Sequence, residues 1–82
     1  MSLETERILL ESKINKLKRD RESKIMEGEM FVTQVREELS PYLEFADIDT
    51  GKAKLAMENI VRLKNEITEI DADIKALQRK LK

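Results

Sequence analysis

Along residues 53–81, apolar side chains return at steps of three and four: Ala53, Ala56, Ile60, Leu63, Ile67, Ile70, Ile74, Leu77 and Leu81. The mean step of about 3.5 is close to the 3.6 of an α-helix, so the whole row falls in one stripe. Strand alternation is absent, since neighbours such as Lys64-Asn65 and Asp71-Ala72 break a period of two. The intervening positions are largely Lys, Glu, Asp, Arg and Asn. Such a helix is built to lie against another along its full length.

A second row precedes it: Leu3, Leu10, Ile14, Leu17, Ile25, Val32, Val35 and Leu39. Helical steps within this row also fall on Arg7, Arg21 and Gly28, where core residues would be expected. Two consecutive steps of four flank Arg21, a stutter that locally unwinds a supercoil. Ser2 is a candidate N-cap, with Glu4 and Glu6 favourable near the positive end, so the first helix is predicted over about 2–39. Ser40-Pro41 stops it, because proline disfavours α geometry in the preceding residue and lacks a donor. Ser40 as cap and Pro41 at the first helical position predict a short helical turn through Phe45. Residues 47–51 carry turn chemistry, and Asp49 or Thr50 is expected to cap the next helix. The connector is then about 40–49 and the second helix about 50–81.

Folding the two rows against each other tests whether they belong together. Opposing residues in an antiparallel pair have a nearly constant index sum. Leu39 meets Ala53, Val35 meets Ala56, Val32 meets Ile60, Gly28 meets Leu63 and Ile25 meets Ile67. Arg21 then meets Ile70, Leu17 meets Ile74, Ile14 meets Leu77 and Leu10 meets Leu81; every sum is 91 or 92. Flanking charges mostly agree, with Glu27 facing Lys64, Lys24 facing Glu66, Lys18 facing Asp73 and Glu11 facing Lys80. Asp20 against Asp71 opposes the register. Each exposed pair is worth only about 0–1 kcal/mol, so the pairs select the register more than they stabilise it.

The predicted fold is therefore all-α, an antiparallel two-helix coiled-coil hairpin in a single domain. Two helices share one face only, and ordering costs about 1.5 kcal/mol per residue. Extra apolar residues lie outside the stripe near the bend, and isoleucine recurs along the second arm's core. Both lean toward more than two helices. The expectation is a homodimer forming a four-helix bundle.

Composition narrows the function. Charged residues make up 40% of the 82 residues and aromatics 4%, the profile of long helices. Disorder competes for so charged a chain, but 40% hydrophobic content in strict register argues against it. The net charge of −1 gives no global attraction to nucleic acid or anionic lipid. Without Cys or His there is no thiolate, and the commonest metal ligand and general base is missing. No apolar run is long enough to span a membrane, and Glu4 and Glu6 interrupt any signal-peptide core. A cytoplasmic protein without membrane attachment is expected, with no cofactor and no metal site. Asp47-x-Asp49 followed by Glu58 has EF-hand-like acids, but Lys52 stands where the calcium loop needs glycine. Inward-facing carboxylates are lacking on the second stripe, so no catalytic residues are assigned and no enzyme is expected.

Three groups of candidate residues remain. Met30, Phe31, Tyr42, Phe45 and Met57 cluster toward the bend and are candidates for contact with a second copy or another protein. Their alternative role is a hydrophobic cap over the bend. Arg21 and Gly28 interrupt the first stripe and are candidates for setting register. Arg21 has the alternative of laying its stem over Ile70 and reaching Glu69 or Glu66. Lys13, Lys16, Lys18 and Arg19 form a basic stretch that could contact nucleic acid, although acids on the other arm lie at the same level. The preferred function is a non-catalytic protein-protein interaction or scaffold module that self-associates. The alternative is an accessory nucleic-acid-binding protein.

Overall fold

A computed structural model describes residues 3–81 of the chain. Helix α1 spans Leu3–Glu38 and helix α2 spans Thr50–Lys80, joined through a single 3₁₀ turn at Phe45–Asp47. The arms pack antiparallel into a rod of 65 × 15 × 14 Å. Its length follows from the sequence, since 36 helical residues at 1.5 Å each rise about 54 Å before the connector is added. Ser2, the expected cap of the first helix, lies outside the described residues. No helix among the described residues is long and apolar enough to cross a membrane.

The stripe of α2 faces α1 throughout. Ala53, Ala56, Leu63, Ile70 and Ile74 are buried, and Ile60, Ile67, Leu77 and Leu81 are half-buried. In α1 only Ile14 is buried; Leu10, Leu17, Ile25, Val32 and Val35 are half-buried. Ile14, Ile70 and Ile74 form the core toward the open end, with Leu17, Leu77 and Leu81 packed against them. Leu63, at 1% exposure, is the most deeply enclosed side chain and lies opposite Gly28. A two-helix pair covers each stripe from one side only, so few residues of either arm leave solvent fully.

Two local expectations change and a third is resolved. Leu39 was to close the last layer against Ala53, but α1 ends at Glu38 and Leu39 is 51% exposed. Ser40 and Pro41 do not start a short helix through Phe45. Instead the Leu43 amide donates to the Ser40 carbonyl and the Tyr42 amide to Ser40 Oγ, which places Pro41 at the second position of a tight turn. The 3₁₀ turn begins at Phe45, where the helix was to end. At α2 the choice of cap resolves to Asp49, whose Oδ1 accepts from the Lys52 amide at 3.0 Å.

Gly28 is spaced normally from the other arm. A methyl added there would meet Leu63 Cδ1 at 3.9 Å, an ordinary van der Waals contact. Close approach therefore does not require glycine, which leaves the helix its entropic cost of about 1 kcal/mol relative to alanine. Gly28→Ala is expected to raise stability by about 1 kcal/mol, or a thermal midpoint by about 4–8 °C for a domain of this size. Thermal denaturation followed by circular dichroism checks this.

Candidate interaction surface

The connector holds its aromatic residues in the open. Tyr42 is 95% exposed and Phe45 91%. Two backbone bonds, from Asp47 N to Glu44 O and from Ile48 N to Phe45 O, fix the 3₁₀ turn beneath them. With the Ser40 turn before it, the segment is hydrogen-bonded and adopts no left-handed backbone among the described residues. The rings therefore do not cap the hairpin, which removes the alternative role considered for them. Leu39, Leu43, Leu55 and Met57 add further partly exposed apolar surface at this end. Full burial of a large apolar side chain is worth about 1.5–3 kcal/mol, so the bend can contribute substantially to an association.

The five bend candidates do not form one patch. Met30 is 68% exposed and lies two residues from both Gly28 and Val32, on the side of α1 away from α2. Phe31 is half-buried, one heptad after Lys24 and on the same edge of α1. Met57 is 47% exposed on α2. Leu55, exposed to 62%, was not singled out from the sequence. Its signal was its heptad spacing from Arg62, which places both on one edge of α2.

Charge pairs tie the arms midway along the rod. Lys24 Nζ donates to Glu66 Oε2 at 3.0 Å, the pairing expected from the register. Glu27 pairs with Arg62 at 3.7 Å and not with Lys64. Arg62 also donates to Glu66 along its own helix. The Lys24 hydrogen bond, aided by Arg62, holds the Glu66 carboxyl below the usual glutamate range. Arg21 Nε reaches Asp71 Oδ1 at 2.6 Å, in place of the Glu69 or Glu66 contact anticipated for it. This contact also supplies a cation beside Asp71, whose pairing with Asp20 would have opposed the register. Both side chains are about 40% exposed, and solvent screening keeps the pair within the modest range of surface ion pairs.

Lys13, Lys16, Lys18 and Arg19 are exposed and make no ion pair with another described residue. They do not share one face: Lys13 and Lys16 border a shallow groove floored by Leu17, Ala76 and Leu77, with Asp20 and Asp73 on its rim. Lys18 lies on the opposite edge, beside Ile14 and Gln78. Among the described residues, no three acidic, His or Cys side chains converge on a metal-sized site. Asp49 is occupied as the α2 cap, and Glu58 sits within α2, away from a calcium-loop arrangement.

No family model, curated protein or solved structure gives a significant match to this chain.

The depressed Glu66 carboxyl makes a signed prediction. Its folded value lies below its unfolded value, so its contribution is present above the ordinary glutamate range and lost as pH falls through the folded value. Glu66→Gln is expected to lower the thermal midpoint at neutral pH and to make its fall on acidification shallower. Midpoints measured across pH 2–7 would show this; parallel curves for the two proteins would contradict it.

Proposed function

We propose that the chain is a non-catalytic coiled-coil interaction module that self-associates, with the bend end supplying much of the contact. One observation carries this reading: Tyr42 and Phe45 stand almost fully exposed on a hydrogen-bonded connector. Aromatic anchors are enriched in protein interfaces, and rigid display lowers the entropy lost on binding. The lone hairpin leaves large apolar residues exposed at both ends, including Ile8 and Leu9. A second copy of the chain offers matching surface for them.

Phe45 and Met57 are substantially exposed, so the double variant Phe45→Ser, Met57→Ser should keep the helix content of the hairpin. In this reading the native protein has a mass twice the 9.6 kDa of one chain, and the variant has the mass of one chain under the same conditions. Light scattering coupled to size exclusion measures both. A native mass of 9.6 kDa at every concentration would remove self-association.

A second reading, accessory nucleic-acid binding, draws on the unpaired Lys13, Lys16, Lys18 and Arg19. Neighbouring Asp20 and Asp73, and the division of these cations between two edges, weigh against it. The preferred reading expects no retention on a DNA or RNA column even at low salt. Retention that falls steeply with added salt would favour the second reading.

A further inference from the structure

The bend exposes Tyr42 and Phe45, and the charge distribution of the chain points to a surface that complements it. The layer formed by Ile25 and Ile67 divides the rod near its middle. Residues 25–67, the bend half, carry five basic and nine acidic side chains. The remaining residues, which make up the open half, carry eleven basic and eight acidic ones. The two halves thus have net charges of −4 and +3, although the whole chain is nearly neutral. Bend-to-bend contact, or parallel alignment of two rods, sets the acidic halves against each other. Antiparallel alignment sets each acidic half against a basic one, twice over.

Apolar surface follows the same division. One edge of the rod is marked by the Lys24–Glu66 and Arg62–Glu27 pairs. Along α1 this edge runs through Leu17, Lys24 and Phe31 at heptad spacing, so Leu17 and Phe31 are equidistant from Lys24. On the open half it bears the groove floored by Leu17, Ala76 and Leu77. On the bend half it bears Phe31 and, along α2, Leu55.

We propose that two copies pair side by side and antiparallel through this edge, with a twofold axis beside Lys24, so that the bend half of each covers the open half of the other. The proposal rests on the self-association reading and supplies its geometry. Phe31 then lies over the groove at the partner's Leu17, and Leu55 over the end of the partner's α2. Tyr42 and Phe45 lie toward the partner's Leu9, which is 49% exposed. Glu38 approaches the partner's Lys13. The axis lies near the middle of the described rod, so two copies overlap along nearly their full length.

Area and symmetry favour a second copy of this chain. A standard interface buries about 800 Å² on each partner. Tyr42 and Phe45 alone offer about 150–250 Å² each, and the edge supplies further area along the rod. A head-to-tail contact also joins acidic and basic ends, but it leaves one of each unpaired and propagates into a filament. The closed pair satisfies both ends. Exposed charges are screened within about 10 Å, so they act mainly by choosing orientation while the apolar contacts hold the pair.

The chain contains no Cys, so introduced cysteines report without background. Gln34→Cys and Lys13→Cys place thiols at heights that meet across the proposed axis. Mixing the two variants with a short bis-maleimide should give the mixed product several-fold over either self-product. Small-angle scattering of the native pair should retain a long dimension near the 65 Å of one hairpin. Preferential Tyr42→Cys self-cross-linking, with a doubled long dimension, would overturn the geometry and leave self-association intact. Preferential Gln34→Cys self-cross-linking at unchanged length would indicate parallel rods and overturn it equally. A mass of one chain at every concentration would remove both the geometry and the self-association on which it rests.

Discussion

The packing of the α2 stripe against α1 is the constraint on which the rest of the molecule depends. Every position of that stripe from Ala53 to Leu81 is buried or half-buried, while α1 fully buries Ile14 alone. The α2 stripe is apolar at every step, whereas α1 presents Arg21 and Gly28 at the layers of Ile70 and Leu63. Leu63 is nevertheless enclosed opposite glycine, its Cδ1 3.9 Å from where a Gly28 methyl would stand. Stability in so thin a rod comes from a long series of partly covered layers. No single cluster dominates it.

Polar contacts make a different contribution. Lys24–Glu66, Glu27–Arg62 and Arg21–Asp71 cross between the arms, and all involve side chains that remain partly in solvent. At about 0–1 kcal/mol each, they cannot substitute for apolar burial. A shift of one arm by a helical turn would break all three crossings together and misalign the stripe. The ion pairs and the layers therefore specify the same register, and this agreement between levels distinguishes one packing from its slipped alternatives.

The features legible from sequence were those with a long period. Nine apolar positions at helical spacing identify α2, and their constant index sum with the first row identifies the hairpin. Short-range features were less legible. Leu39 fits the row by number, but the helix ends one residue earlier and turns its side chain outward. Ser40 and Pro41 are compatible with a helix start and with a tight turn; the bonds to Tyr42 and Leu43 select the turn. Arg21 was readable as an exception, but its partner depended on side-chain reach along the arm. The exposed tip was readable only as a surplus of apolar residues. Composition alone does not distinguish a cap folded over the bend from aromatics standing clear of it. The edge groove was hidden for a related reason, since Leu17, Ala76 and Leu77 come together only across the two arms.

Polarity along the rod connects folding to the proposed association. Antiparallel packing places residues from both chain halves at the same height, so acids of the connector and of the flanking turns accumulate at the bend. Basic residues of early α1 and late α2 accumulate at the other end. The acidic concentration is already present along the chain, with five acids and no base between Glu37 and Asp49, whereas the basic one joins residues from the two ends of the chain. The register that buries Leu63 and Ile70 thus also creates two oppositely charged ends, each bearing apolar side chains that one hairpin cannot cover. In the proposed pair, that same register orients the second copy, because only the antiparallel arrangement matches charge and apolar surface at both ends.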